Sequence, residues 1–376
     1  MEILDADRTL RLFLCGDVMT GRGIDQILPH PSKPRLFESC VRSARTYVEL
    51  AEQVSGPIPR RVAFDYIWGD ALAEIEKARP QARIVNLETA ITRSDDAWPG
   101  KGVHYRMHPA NVPCLTAAKI DCCVLANNHV LDWGRAGLEE TLATLAQAGL
   151  GTCGAGRDAA SAAAPAIVGI GDGRRVLVFA AAHGGSGVPA DWRAGERTAG
   201  VNRVADLSAR SVEAIAKRIA ACRRPKDLVV YSIHWGGNWG YRIAPDERDF
   251  AHALIDRAGV DVLHGHSSHH VKGIEIYRRK LILYGCGDLL NDYEGIGGHE
   301  EFRSDLSLMY FAALDRDSGD LAGLTMTPTQ MRRFQIRHAA PADAAWLLDT
   351  MQRECGQFGA TVALRADGVL EAGFAH

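Results

Sequence analysis

The chain has 376 residues, of which 47% are hydrophobic and 24% charged, a balance typical of a folded globular protein with a sizeable core. Its formal net charge of -3 argues against nucleic-acid binding, which needs a basic surface. No apolar run approaches the roughly 20 residues that span a bilayer, and residues 1–9 lack the pattern of a secretory signal, so we expect a cytoplasmic protein. The nine dispersed cysteines form no Cys-x-x-Cys pair and indicate a reduced, structural set.

Apolar runs closed by glycine or polar residues alternate with helical patterns along the chain, which predicts α/β layers. The predicted strands are residues 10–15, 83–86, 122–126, 175–181, 228–233, 260–263, 281–284 and 306–314. The predicted helices cover residues 70–79, 135–148, 207–222 and 246–258. An insertion with a short helix is expected over residues 28–62, and loops that carry specificity over residues 94–102 and 184–200.

The predicted domain organisation is a main domain over residues 1–328 and a C-terminal extension over residues 329–376 that packs on it. The extension is expected to contain a helix near residues 341–355 and a short pair of edge strands. No repeat, low-complexity tract or sharp linker divides the chain further.

Polar side chains follow nearly every predicted strand, at the point where the strand ends. Asp17 ends the first strand and precedes a glycine-containing turn, and Glu88 follows residues 84–87. Open α/β sheets place their sites outside the carboxyl ends of strands, and carboxylates there suit a metal. Capping of a turn explains Asp17 or Glu88 equally well when each is taken alone.

The run Asn127-Asn128-His129 directly follows an apolar strand, which is an unusual way to end one. An amide oxygen can coordinate a metal, while an imidazole can coordinate it or transfer a proton. Asp132 lies three residues further on and can orient the His129 ring. A plain turn is the alternative, and the combination favours a functional site.

Histidines are concentrated after two later strands. His234 ends one of them, and a single histidine there is more often a hydrogen-bonded core residue than a ligand. The following strand ends in four imidazoles within seven residues, which exceeds structural need and favours metal binding or catalysis. These imidazoles are His264, His266, His269 and His270. Because neighbouring side chains diverge, at most two or three of them can reach one centre.

Other chemistries have less support in the sequence. No P-loop and no Gly-x-Gly-x-x-Gly follow a first strand, so nucleotide-driven chemistry is unsupported. The run Gly265-His266-Ser267-Ser268-His269 lacks the closing glycine of a nucleophile elbow.

Taken together and in order, these motifs resemble the CapA family of poly-γ-glutamate capsule biosynthesis proteins over roughly residues 10–295. The motifs are Gly16-Asp17-Val18-Met19, Asn86-Leu87-Glu88, Ala126-Asn127-Asn128-His129 with Asp132, His234-Trp235-Gly236, and Gly265-His266 with His269. The family is similar to the calcineurin-like metallophosphoesterases. The resemblance therefore implies an α/β fold, specifically a four-layer α/β/β/α sandwich of the metallo-dependent phosphatase type, with a two-metal site.

The resemblance also implies a role for each matching residue. The implied metal ligands are Asp17, Glu88 as the bridging carboxylate, Asn128, His234, His266 and His269. His269 matches its position imperfectly, since two residues separate it from His266 where the related fold has one, and His264 or His270 could substitute for it. Met19 stands where a histidine is usual, which implies an altered metal site. His129 is implied to protonate the leaving group, with Asp132 beside it.

The implied activity is hydrolysis by a water that one or two divalent metals activate, and manganese, iron and zinc all suit these ligands. Arg22, Arg93 and Arg106 could clamp an anionic substrate, with Trp235 nearby, although surface arginines are the simpler explanation for each. We expect a small or peptide-like anionic substrate and cleavage of an amide bond in a glutamate-containing compound. The alternatives are a phosphoesterase and a non-catalytic accessory subunit of capsule synthesis. The sequence predicts no nucleic-acid partner and no membrane span, and it leaves the oligomeric state open.

Overall fold

The computed structural model describes residues 8–39 and 41–373. The prediction that residues 1–9 form no secretory signal therefore falls mostly on residues outside the described part. Cys40, which was predicted to be a structural cysteine, also lies outside it. The other eight cysteines are free thiols, seven of them buried. None of the helices within the described ranges combines the length and the apolar character needed to cross a bilayer.

In chain order, the strands within the described residues are β1 (Thr9–Val18), β2 (Ala82–Leu87), β3 (Ala90–Ile91), β4 (Arg106–Met107), β5 (Cys122–Val124), β6 (Gly151–Cys153), β7 (Ala155–Gly156), β8 (Ala166–Gly169), β9 (Arg175–Ala182), β10 (Gly200–Val201), β11 (Leu228–His234), β12 (Val262–His266), β13 (Ile274–Tyr277), β14 (Lys280–Leu283), β15 (Asp288–Leu290), β16 (Leu306–Asp315), β17 (Leu321–Met331), β18 (Ile336–His338), β19 (Thr361–Leu364) and β20 (Leu370–Gly373).

The α-helices of the same residues are α1 (Arg22–Ile27), α2 (Ala44–Ser55), α3 (Ala71–Ala78), α4 (Pro113–Ala117), α5 (Gly134–Gln147), α6 (Ala159–Ala163), α7 (Ala209–Cys222), α8 (Pro245–Ala258) and α9 (Pro341–Gly356). Each predicted strand and helix corresponds to one of these elements, with ends that shift by a few residues. Helix α2 lies in the predicted insertion, and the predicted loop over residues 184–200 contains two short 3-10 turns.

Two large sheets form a mixed α/β architecture, which confirms the predicted α/β class. The larger sheet has the strand order β19-β20-β17-β16-β1-β2-β5-β6, with β15 beside β1 and β18 beside β17. The smaller sheet has the order β13-β14-β12-β11-β9-β8. The C-terminal strands β19 and β20 lie at the edge of the larger sheet, and the predicted domain limit at residue 328 falls inside β17.

Strand β17 was not predicted, although it pairs with β16 along most of its length. Its sequence contains Gly323 and Pro328, residues that weaken a strand pattern because glycine packs no side chain and proline donates no ladder hydrogen bond. Pairing with the apolar strand β16 outweighs this local preference. Long-range pairing of this kind is not visible in a local sequence pattern.

The strands β9 and β11 of the smaller sheet are buried on both faces. Val176, Val178 and Val230 belong to the core that also contains Leu12 and Leu14 of β1. The alternate residues of β9 and β11 pack instead with apolar side chains of α7 and α8; they are Leu177, Phe179, Val229 and Tyr231. Burial on both faces explains why these parallel strands are continuous apolar runs rather than alternating ones.

The parallel strands of both sheets bring their carboxyl ends to one region. In the larger sheet β1, β2 and β5 run parallel, and in the smaller sheet β9, β11 and β12 do so. The sheets meet at this end, where His264 Nε2 lies 2.7 Å from the carbonyl oxygen of Cys15. The pairing of β1 with β2 shifts register between Cys15 and Asp17, and such bulges redirect side chains next to functional sites.

Candidate metal centre

Two groups of potential metal ligands share the carboxylate of Asp17. One ligand atom from each of Asp17, His234 and His266 lies within 4.8 Å of the other two. The same holds for Asp17, His269 and Asp288. The structure thus brings four of the six predicted ligands together and adds Asp288, which the sequence interpretation had not assigned.

Asp288 lies beside Asp17, and both residues end copies of the same tripeptide. Cys15-Gly16-Asp17 recurs as Cys286-Gly287-Asp288, and β1 pairs in parallel with β15 so that Asp17 lies opposite Asp288. A Cβ added to Gly16 would lie 1.7 Å from the carbonyl oxygen of Gly287, so only glycine permits this approach. The repeat was visible in the sequence and could have identified Asp288.

Three buried polar atoms of the predicted ligands have no hydrogen-bond partner among the described residues. They are Asp17 Oδ2, Asn128 Oδ1 and His234 Nε2. Burial of a polar atom without a hydrogen-bond partner costs free energy of folding. Oxygen and nitrogen atoms with a free lone pair are also the ligands that a divalent cation binds. Because these three atoms lack other partners, the residues present fit a bound divalent metal.

Buried carboxylates crowd the same region. The Asn86 amide donates to Asp17 Oδ1 at 2.6 Å and to Glu88 Oε2 at 2.9 Å, which holds the two carboxyl groups side by side. Burial raises the pKa of Asp17 to about 6, and burial together with the charge of Asp17 raises the pKa of Glu88 well above its usual value. Like charges so close need a compensating cation, and a divalent metal would supply it.

His269 supplies part of the positive charge that these carboxylates need. Its Nδ1 lies 3.1 Å from each oxygen of Asp288, and Asn291 Nδ2 donates to Asp288 Oδ2 at 3.2 Å. Burial alone would lower the pKa of His269, but the adjacent Asp288 carboxylate raises it above the usual value. The imidazole is therefore held against Asp288 by charge as well as by shape.

A chain of side chains orients His234 and His266. His234 Nδ1 lies 2.8 Å from His266 Nδ1, and His266 Nε2 lies 2.9 Å from Ser232 Oγ. The same hydroxyl lies 3.0 Å from His264 Nδ1, whose Nε2 reaches the Cys15 carbonyl. Both ring nitrogens of His264 are therefore engaged.

Neither predicted alternative ligand, His264 or His270, belongs to one of the two ligand groups. His264 supports His266 through Ser232, as its engaged nitrogens require. His270 turns the other way: its Nδ1 lies 3.0 Å from the Val271 carbonyl, and its ring stacks on Phe302 at 4.7 Å. The prediction that either could replace His269 is corrected by these contacts.

His129 and Asp132 form the contact that the sequence predicted. His129 Nδ1 lies 2.7 Å from Asp132 Oδ2, and His129 Nε2 lies 3.9 Å from Glu88 Oε1. The ring stacks on Tyr105 with 3.9 Å between centroids. Burial, followed by the positive charge of Lys101, lowers the pKa of His129 well below its usual value. A neutral imidazole therefore faces the carboxylate cluster.

The site opens into a cavity of about 790 Å³. Asn128, His129 and His269 line it, together with residues that the sequence interpretation did not assign, among them Lys101, Tyr105, Trp239, Tyr293, Arg303 and Arg332. Arg22 lines it as predicted, but its guanidinium is already bound to buried Asp292 and Glu38 and lies 3.5 Å from the Tyr47 ring centroid. Arg22 is thus a structural part of the cavity wall.

The other three predicted substrate-binding residues do not line this cavity. Arg93 is exposed and bound to Glu140. Arg106 donates to Asp95 and lies 3.8 Å from the Trp133 ring centroid. Trp235 is buried and donates its indole N–H to the Tyr284 carbonyl at 2.9 Å. Their predicted role is corrected, because partners elsewhere in the fold fix each side chain away from the cavity.

Comparisons with known proteins identify the family of the chain. Residues 11–293 match the family model described as bacterial capsule synthesis protein PGA_cap. The chain is 49% identical over 361 residues to a "Probable polyglutamine synthesis accessory protein" of Mycobacterium tuberculosis, which covers 96% of this chain and 95% of that relative. It is 25% identical to the capsule biosynthesis protein CapA of Bacillus anthracis, over 75% of this chain and 60% of that protein. The PGA biosynthesis protein CapA of Bacillus subtilis is 23% identical over 76% of this chain and 64% of that protein. The chain therefore belongs to the PGA_cap family of bacterial capsule synthesis proteins, which confirms its resemblance to CapA.

Proposed function

We propose that the chain is a metal-dependent hydrolase that cleaves an amide bond in a glutamate-containing, anionic substrate. The observation that carries this proposal is the sharing of Asp17 by two ligand groups next to His129 and its cavity. Asp17, His234 and His266 would hold one divalent cation. Asp17, His269 and Asp288 would hold a second, with Glu88 and Asn128 beside them.

Two finer features belong to the same proposal. The fold is the four-layer α/β/β/α sandwich of metallo-dependent phosphatases, which the burial of β9 and β11 on both faces supports. Asp288 takes the role of the ligand that is missing at Met19. Histidine and carboxylate donors suit manganese, iron or zinc.

A bound divalent metal lowers the pKa of water and polarises the bond to be cleaved. The residues of the chain supply the remaining chemistry. When His129 Nδ1–H donates a hydrogen bond to Asp132, Nε2 carries a lone pair and can accept a proton from the attacking water. The same nitrogen can then pass that proton to the departing amine. Tyr105 holds the ring plane in place by stacking.

The substrate class is supported by the relatives' names and by the charges of the cavity. The relatives are named for polyglutamine synthesis, capsule biosynthesis and PGA biosynthesis. Among the cationic residues lining the cavity, Arg22, Lys101 and Arg303 each bind a carboxylate of the chain. Arg332 forms no ion pair within the described residues, so its guanidinium is open to a substrate carboxylate. The predicted cytoplasmic location remains a prediction.

The second candidate is an accessory protein without catalysis, which the name of the mycobacterial relative favours. In that case the metal would stabilise the fold or a complex rather than react. Phosphoester hydrolysis is the remaining alternative, because it is the chemistry of the related metallophosphoesterases.

One set of measurements separates these functions. Purified protein is analysed for divalent metal and assayed in parallel on γ-glutamyl oligomers and on aryl phosphates. We expect bound metal and cleavage of the oligomers, with turnover lost but metal retained in His129→Ala. His252→Ala, which alters a histidine bound to Glu275 away from the cavity, is the control. Absence of metal would refute both enzyme functions, and preferential cleavage of phosphates would refute the amide assignment.

A further inference from the structure

Lys101 lies on the loop over residues 94–102 and reaches into the site beneath His129. Its Nζ is 2.6 Å from Asp132 Oδ1, 2.9 Å from the Val103 carbonyl and 3.1 Å from His129 Nδ1. The side chain is only 14% exposed. The ammonium group can donate to Asp132 Oδ1 and to the Val103 carbonyl, and its burial leaves little of it for a substrate. When His129 Nδ1 carries a hydrogen, the 3.1 Å approach of Lys101 is a contact between two donors and not a hydrogen bond.

Asp132 is fixed on all sides by the same part of the chain. Its Oδ2 accepts the Tyr105 backbone N–H at 2.6 Å and contacts His129 Nδ1, while its backbone carbonyl accepts the Trp98 N–H at 2.8 Å. The carboxylate is fully buried, and Lys101 is the cation in contact with it. A buried carboxylate without such a partner tends to take up a proton.

The protonation of Asp132 determines which nitrogen of His129 carries the hydrogen. If Asp132 is ionised, His129 Nδ1 must donate to it, and Nε2 keeps its lone pair on the side of Glu88. If Asp132 is protonated, it donates to a bare Nδ1, and the hydrogen of the ring moves to Nε2. Only the first arrangement leaves Nε2 able to accept a proton.

We propose that Lys101 is a positioning residue whose ammonium keeps Asp132 ionised and thereby fixes His129 as the Nδ1–H tautomer. The consequence for turnover rests on the proposed hydrolytic function, but the tautomer itself does not. Lys101 acts through Asp132 and needs no contact with the substrate. Lys101 and Trp98 both bind Asp132, so this loop is held to it at two points. The loop therefore couples the cavity wall to the tautomer of His129.

The tautomer can be measured directly on the full-length, zinc-loaded protein. With ¹⁵N-labelled histidine, protonated and bare ring nitrogens have different NMR chemical shifts, and the His129 signals are assigned by their loss in His129→Gln. We expect a protonated Nδ1 in the wild type and in Lys101→Arg, and a protonated Nε2 in Lys101→Met. Lys33→Met is the control, because exposed Lys33 forms an ion pair with exposed Asp95. An unchanged tautomer in Lys101→Met would overturn the proposal.

Folding and turnover complete the test. Thermal melting checks that each variant is folded, and Lys101→Gln replaces Lys101→Met if the latter does not fold. We expect kcat to fall roughly 10- to 100-fold in Lys101→Met, as for other residues that orient a reactive group. The KM and the bound metal should stay within about threefold of wild type, and Lys101→Arg should restore most of kcat. If the wild type cleaves no substrate, the proposed function fails, while the NMR result still decides the role of Lys101.

Discussion

Replacing Asp17 or Asp288 with asparagine should remove different numbers of metal ions, because only Asp17 belongs to both ligand groups. Asparagine has nearly the same shape but no negative charge, so the fold should be retained. Asp17→Asn should weaken both cations. Asp288→Asn should weaken only the one that His269 helps to hold.

The size of the effect follows from the number of ligands. Zinc held by four protein ligands binds with about 10–16 kcal/mol, or about 3 kcal/mol for each ligand. Loss of one carboxylate should therefore weaken a cation roughly 100-fold. Each group in this site has three such ligands within 4.8 Å, so a loss of this size should empty it at metal concentrations that just saturate the wild type.

The assay is equilibrium dialysis against limiting zinc, followed by elemental analysis of the protein. We expect two equivalents in the wild type, one in Asp288→Asn and none in Asp17→Asn. Asp305→Asn is the matched control, because Asp305 lines the same cavity but binds Arg303 and belongs to neither group. Equal losses in the Asp17 and Asp288 variants would refute the shared-ligand reasoning, and so would full retention in Asp17→Asn.

Three further predictions test the surrounding structure. Gly16→Ala should cost at least about 3 kcal/mol, because the new methyl group meets the Gly287 carbonyl oxygen; an unchanged melting temperature would contradict this. Arg93→Gln should leave KM within about twofold of wild type, as measured by steady-state kinetics. Arg22→Gln leaves buried carboxylates without their cation and should destabilise the fold by roughly 3–5 kcal/mol, as measured by denaturant unfolding. Burial raises the pKa of Asp25 from 3.8 to about 6. Between pH 3.8 and about 6, Asp25 is therefore protonated in the folded state and ionised in the unfolded state. Stability should fall as pH rises through this window, by about 3 kcal/mol relative to Asp25→Asn at the same pH, as measured by urea unfolding.

The sequence was sufficient to predict every strand of five or more residues except β17, and the convergence of Asp17, His234 and His266. Parallel strands end at one edge of a sheet, so polar residues at those ends gather without knowledge of the detailed structure. Reasoning from strand ends did not select Asp288, which only the repeated Cys-Gly-Asp could have identified, because β15 is three residues long and owes its position to pairing with β1. That pairing joins residues far apart in the sequence.

The arginines show a different limit of sequence reasoning. Arg93 and Arg106 follow ligand-bearing strands closely in sequence, which suggested the cavity. Their side chains are fixed instead by Glu140 and by Asp95 with Trp133. A long cationic side chain goes to the nearest carboxylate or aromatic face, and sequence proximity does not indicate where that partner lies.

The two residues between His266 and His269 explain how one segment can serve both ligand groups. Ser267 has a φ of +110°, a conformation that side-chain-bearing residues rarely adopt and that costs of order 1–3 kcal/mol. His269 N–H then bonds to the Asn238 carbonyl at 3.0 Å, which turns His269 toward Asp288 while His266 stays with His234. With one intervening residue the two imidazoles of a regular strand would point to the same face at a fixed spacing. The extra residue breaks that spacing, and the strain at Ser267 is the structural cost of assigning His266 to one group and His269 to the other.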